Sequence, residues 1–295
     1  MGRQSNKKRR AASAQTAREK AAAARAIQQR EEQRRRAIRI LAAVVVVVLV
    51  GAGIAFAVLN HNSGSNISDR AAASPSVVKA VTSVSDATLR KIDDGHVATL
   101  PVAVTGNEPP LTAKGKPELL YIGAEFCPYC AVERWSLAEA LSKFGTLSKV
   151  GEVHSAVDDG NYASLDFYKS AYTSKYLTFT PVEAEDRNQK ALQKPSSAQN
   201  ALWSKLSNGG EGFPFIDFGN KLDLAGNAPL DPTVLGTSTQ QQIASQLDDP
   251  SSKIAQTIGG GANDDIASIC AMTNNQPATV CNTPTISALE TKLTG

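Results

Sequence analysis

Cys127-Pro128-Tyr129-Cys130 is the stretch of this chain best suited to chemistry. The thiolate, not the thiol, is the nucleophile in thiol–disulfide exchange, and a free thiol of pKa about 8.5 is only a few per cent ionised at neutral pH. A cysteine at a helix N-terminus faces unpaired backbone N–H groups and the positive end of the helix dipole, which favour the anion. Pro128, just inside such a helix, gives up no hydrogen bond and pre-sets φ. Cys130 lies one turn on and on the same side, where it can attack a mixed disulfide formed at Cys127. The spacing therefore predicts Cys127 as an exposed attacking thiol and Cys130 as the resolving thiol. Two other chemistries share the spacing: half of a zinc site and an inert structural disulfide. Zinc would need two further ligands. Cys270 and Cys281 are at hand, but their ten-residue gap is not a usual zinc spacing, and neither a metal nor a cofactor is expected.

The elements that must position the pair follow from the flanks. Leu119–Ala124 is an almost wholly apolar run after the turn Lys114-Gly115-Lys116-Pro117, as in a strand buried on both faces. Residues 131–144 predict a helix, with Ala131, Trp135, Ala138 and Leu141 on one face and Glu133, Ser136 and Lys143 on the other, stopped by Gly145. Val150–Val157 reads as the next strand, which makes a strand–helix–strand unit with parallel strands and an α/β class. Further on, residues 212–219 form an apolar run with Pro214 near its start, and Lys221–Ala225 is its hairpin partner. Leu177–Ala184 is an extra strand broken by Pro181; residues 197–207, 238–247, 262–273 and 285–293 are read as helices.

The other chemical candidates are weaker. Cys270 and Cys281 are expected to pair as a structural disulfide, with a relay pair as the alternative. Glu125 reads as a solvated rim residue or a proton relay. His154 ends a strand, with no metal-binding neighbour visible in the sequence, and no two of the three histidines are neighbours. Gly259-Gly260-Gly261 lacks the Lys-Ser/Thr of a phosphate loop, and no Gly-x-Ser-x-Gly signature of a serine nucleophile occurs.

The 295 residues carry a net charge of +3, but it is unevenly placed: residues 1–39 hold 13 Lys and Arg against 3 acidic residues. The remainder is acidic, so no nucleic-acid partner is expected for the chain as a whole. Residues 40–59 contain no charge, with Arg34, Arg35, Arg36 and Arg39 before them and no Lys or Arg after them until Arg70. Twenty residues at about 1.5 Å each span a bilayer core of about 30 Å, and basic flanks stay in the cytoplasm. The expectation is a basic helical cytoplasmic tail (1–39), a transmembrane helix (40–59), a linker (60–80) and an extracytoplasmic domain (81–295). A cleaved signal peptide ending near Ala55-Phe56-Ala57 is the rival.

The run from Tyr121 to Trp135 (Tyr-Ile-Gly-Ala-Glu-Phe-Cys-Pro-Tyr-Cys-Ala-Val-Glu-Arg-Trp) resembles the signature of a membrane-anchored family, domain of unknown function 929. Tyr172–Leu177, Pro181-Val182-Glu183 and the late Cys270…Cys281 pair are similar to that family as well, so the resemblance covers roughly residues 85–290. It implies a thioredoxin-like three-layer domain with helical elaborations, here preceded by the single transmembrane helix. In such domains a cis proline opens the strand facing the cysteine helix, and the residue before it offers its backbone to the substrate. Phe213 and Pro214 would hold those places; an ordinary strand-start proline is the plainer reading. Two departures stand out. The Pro-Tyr dipeptide is that of glutaredoxins, without a visible glutathione site. Tyr121 occupies the position where many thioredoxin-like enzymes carry a buried acid, a role Glu125 could fill. The expected function is a single-pass plasma-membrane oxidoreductase acting on thiols of secreted or envelope proteins, with a membrane redox partner and the lipid bilayer as further partners. The rivals are a non-catalytic binding module with structural disulfides and an adaptor working through residues 1–39.

Overall fold

The computed structural model describes residues 70–295 except 96, 98, 107 and 226–228. The tail (1–39), the apolar run (40–59) and the first part of the linker lie outside the described residues. In chain order the elements are β1 (Ala71–Ala72), α1 (Pro75–Thr82), α2 (Asp86–Ile92), β2 (Val102–Ala103), β3 (Thr112–Ala113) and β4 (Lys116–Gly123), then α3 (Pro128–Ser142). Next come β5 (Gly145–Ser148), β6 (Gly151–His154), β7 (Ala163–Asp166), β8 (Ala171–Ser174) and β9 (Thr178–Glu183). After these follow α4 (Ser197–Leu206), β10 (Phe215–Phe218), β11 (Leu222–Ala225), a short 3₁₀ turn at Pro232–Leu235 and α5 (Gln240–Ala244). The last helices are α6 (Lys253–Met272), α7 (Ala278–Cys281) and α8 (Pro284–Thr294).

The fold class is mixed α/β with several sheets, and this corrects the expectation of a thioredoxin-like three-layer domain preceded by a transmembrane helix. The described strands divide into three separate sheets. Among the described residues no helix is long and apolar enough to cross a membrane. The physical reason for the first difference lies in residues 145–174. Strand β6 does not return beside β4; it pairs antiparallel with β1 and β7, while β5 pairs with β8. The parallel neighbour of β4 is β9, with Tyr121 opposite Pro181 and Gly123 opposite Glu183. Among the described strands β9 pairs with β4 alone, so the missing N–H of Pro181 breaks no second ladder. On its other side β4 pairs antiparallel with β10, which turns through Gly219 into β11.

Residues 70–80, expected to be linker, belong to the same compact unit as the rest of the described chain. Ser74 caps α1 by accepting from the Val77 amide, and Val77 and Val81 are buried in the core. Strand β4 alternates between two apolar clusters, as a strand buried on both faces must. Leu119 and Tyr121 join the large core with α3 and α6; Leu120 and Ile122 join Phe215 and Trp203 of α4.

Helix α3 differs most from its expected amphipathic form. Glu133 and Ser136 are as buried as Trp135, because α6 packs along the face read as polar and Ser136 donates to Asp265 at 2.9 Å. The run Gly259-Gly260-Gly261, which precedes the helix read over residues 262–273, lies inside α6. At Gly260 a Cβ would lie 2.8 Å from the Asp94 carbonyl oxygen and 2.8 Å from the Gly95 Cα, so backbone approaches backbone there.

Cys270 and Cys281 form a disulfide between α6 and α7, with both residues fully buried. Replacing both by alanine should lower unfolding free energy by about 3 kcal/mol, the loop-closure value for a short ring. The shift of the urea midpoint measures this, and an unchanged midpoint refutes it.

Candidate functional site

Strand β4 delivers the chain to the site. It ends at Gly123, where an added Cβ would sit 2.1 Å from the Tyr121 hydroxyl. Only glycine lets the strand end close over that ring. Residues 124–126 then turn the chain, the Cys127 amide donating to the Ala124 carbonyl (3.2 Å), and α3 begins with Pro128.

Cys127 is the N-cap of α3. Its Sγ accepts from the Cys130 backbone N–H at 3.3 Å, taking the place a capping oxygen holds elsewhere. Both cysteines are free thiols. Hydrogen bonding from the Cys130 thiol holds Cys127 below the usual thiol range; the Cys130 and Tyr129 amides and the Arg134 charge act in the same direction, against burial. Burial pushes Cys130 well above that range, and the Cys127 sulfur beside it adds to the rise. The two thiols are thus driven apart, one toward the anion and one toward the neutral form.

Phe213 and Pro214 come to the same place. The peptide bond between them is cis, and the Cys127 thiol donates to the Phe213 carbonyl at 3.8 Å. The Phe213 ring stands edge-on to Phe126 (6.0 Å between centroids) and tilted on Trp203 (5.2 Å). These rings give the main correction to the sequence reading of the site. Cys127 is not exposed: it is buried with Cys130 and Ala124 beside Phe126 and Phe213, with 5% of its surface accessible. Tyr129, between the cysteines, points outward and is 45% exposed.

Glu125 is no solvated rim residue either. It is fully buried, ion-paired with Arg70 and hydrogen-bonded by the Arg187 amide (3.2 Å). Arg70 also faces Asp166 at 3.0 Å and lies over the Tyr168 ring. Burial raises the Glu125 carboxyl despite Arg70. The residue that sequence reading missed is Arg134, fully buried and bidentate with Glu183: Nε to Oε1 2.8 Å, Nη2 to Oε2 2.7 Å. Its signal was helical spacing, four residues after Cys130 and seven after Cys127. Tyr121 lies in the same region with its hydroxyl buried and unpartnered, its ionisation pushed up first by burial.

His154 ends β6. Among the described residues no group of three or more His, Cys, Asp or Glu could hold a metal ion. The bond between Cys270 and Cys281 removes them as zinc ligands for Cys127 and Cys130.

Residues 103–209 match the family model described as domain of unknown function (DUF929). The matched stretch holds the Tyr121–Trp135 motif and the Tyr172–Glu183 segment; Phe213, Pro214 and the Cys270–Cys281 pair lie beyond it. No curated protein and no solved structure matches the chain. That stretch of the chain is similar to the DUF929 family.

Proposed function

We propose that this protein is a thiol–disulfide oxidoreductase acting on protein disulfides through Cys127 and Cys130. One observation carries the reading: Cys127 sits at the N-cap of α3 with its sulfur on the Cys130 amide, and its ionisation is eased while that of Cys130 is opposed. In the reductive direction the Cys127 thiolate attacks one sulfur of a substrate disulfide. The Cys127–substrate S–S bond forms, the substrate S–S bond breaks, and the leaving sulfur takes a proton. Cys130 then loses its proton and attacks Cys127, releasing the second substrate thiolate and leaving a Cys127–Cys130 disulfide. Two electrons have passed to the substrate, and the reverse sequence oxidises it. Phe126 and Phe213 are each half-buried, and their rings must swing aside for a substrate sulfur to reach Cys127.

The Cys270–Cys281 disulfide supports an oxidising compartment, as does the charge pattern around residues 40–59. We place the domain outside the cytoplasm, with thiols of secreted or envelope proteins as substrates and a membrane redox partner to set the direction. The second reading, a binding module in which the pair is a permanent staple, is favoured by the low exposure of Cys127.

Trapping separates the two. Cys130→Ser should accumulate mixed disulfides through Cys127 that reductant releases, and Cys127→Ser should accumulate none. No adduct with Cys130→Ser, combined with a reduction potential below about −300 mV for the pair, would establish the staple.

A further inference from the structure

We propose that Arg134 is a positioning residue that sets the ionisation of the cysteine pair, and that Glu183 regulates how much of its charge the sulfurs receive. That this serves disulfide exchange rests on the function proposed above; the electrostatic coupling itself does not.

The geometry is built from three elements. On α3, positions 127, 130 and 134 fall on one face, so Arg134 lies on the side of the helix that carries the sulfurs. Its Nη2 donates to the Ala124 carbonyl at 2.7 Å, the same oxygen that accepts the Cys127 amide at 3.2 Å. From β9, Glu183 grips the guanidinium with both carboxylate oxygens; from β7, the Ser164 hydroxyl accepts from Nη1 at 3.3 Å. Arg134, Glu183 and Ser164 are all fully buried. A charge held this way acts through a medium far less polarisable than water, and its position cannot relax.

The pair is hard to explain as a stabilising device. Burying two charges costs several kcal/mol each in desolvation, and apolar replacements of such pairs are often neutral or stabilising. Arg134 does act on the site: its charge favours the thiolate at Cys127 and at Cys130. Glu183 opposes it. The other ionisable groups around this network are Tyr121 on β4, Asp166 on β7 and Glu125, the last two held by Arg70.

Thiol titration of the reduced full-length chain, by alkylation rate against pH and by thiolate absorbance, tests the inference without any substrate. Glu183→Gln keeps the shape and frees the guanidinium charge, so the Cys127 pKa should fall further. Arg134→Met combined with Glu183→Met removes both charges, and the thiolate fraction at neutral pH should drop about tenfold, one pKa unit. A structural role alone would move both variants in the same direction or neither. Opposite shifts support the inference; equal-signed shifts, or shifts within a few tenths of a unit, overturn it. Should the double variant fail to fold, Glu183→Gln decides alone: a Cys127 pKa that stays or rises overturns the proposal. A protein that titrates as expected but traps no partner as Cys130→Ser leaves this coupling standing and removes the oxidoreductase reading.

Discussion

Arg70→Ala should cost the fold about 2–3 kcal/mol at neutral pH, out of proportion to the place of Arg70 beside a two-residue strand. The guanidinium is paired with Glu125, faces Asp166 at 3.0 Å and stacks over Tyr168 with 4.6 Å to the ring centroid. Both carboxylates are fully buried, so removing the cation strands negative charge in the interior, a change that typically costs about 3–5 kcal/mol. We take a lower figure because Arg70 itself is 24% exposed and water shares its charge. The loss should shrink on acidification, because burial already raises the Asp166 carboxyl to about 7 and raises Glu125 as well. Protonated, neither needs the guanidinium. Adding Glu125→Gln to Arg70→Ala should recover part of the loss at neutral pH. Urea denaturation at pH 5 and pH 7.5 measures all three effects, and a loss below about 0.5 kcal/mol at both would show that the ion pairs carry no net stability. The same change bears on function, since Glu125 lies two residues before Cys127 and anchors the turn leading to it.

What the sequence reveals and what it hides follow from the range of the forces involved. The β4 strand, the cysteine turn and the start of α3 were legible because each is fixed by local chemistry: an apolar run, a capping sulfur, a proline at the first helical position. The hairpin β10–β11 was legible for the same reason. The partner of β4 was not. Residues 177–184 read as an extra strand broken at Pro181, and only the register shows that the strand lies beside β4 and that the missing N–H falls at the rim of the sheet. The burial of Glu133 and Ser136 was equally hidden, because a helical wheel sorts residues by type and cannot tell that a second helix covers the polar side. The hint lay in α6, where Gly259-Gly260-Gly261 permits close approach. At the site, a Cys-x-x-Cys spacing carries no information about its cover. Phe126 precedes it by one residue, but Phe213 and Trp203 arrive from more than 70 residues away. Arg70 and Glu125 are 55 residues apart, so an acid that reads as a surface group is in fact buried with a cation distant in sequence.

Those buried acids lead to the second large expectation: the protein should lose stability as pH rises from about 5 to 8. Between α3 and the elements around it, burial pushes Glu133 up to about 8, Asp264 to about 7, and Asp265, beside Ser136, well above the usual range. Glu139 is likewise pushed up to about 8 by burial, against the pull of Lys143. Asp217 on β10 rises to about 7, again mainly through burial. Glu139 and Asp264 each have both carboxyl oxygens buried without a hydrogen-bond partner, which is tolerable for a neutral acid and costly for an anion. The sign follows from proton counting. In this window the folded chain keeps protons that the unfolded chain has released, so raising pH favours unfolding. The stability these groups contribute is fully present below their unfolded values of about 4, and it is lost as pH climbs through their folded values. Glu139 alone should account for about 3 kcal/mol between pH 4.5 and 7, each pKa unit corresponding to about 1.4 kcal/mol. Asp248, lowered chiefly by its hydrogen bond from Thr88, works in the opposite sense only below the ordinary carboxylate range, so it does not cancel the trend. Urea midpoints at pH 5, 6, 7 and 8 should therefore fall steadily. Glu139→Gln, which keeps the shape of the protonated acid, should flatten the curve and be the more stable protein at pH 8. A midpoint that rises over this range, or a Glu139→Gln curve parallel to the parent, would mean that these side chains reach water in solution and ionise without penalty.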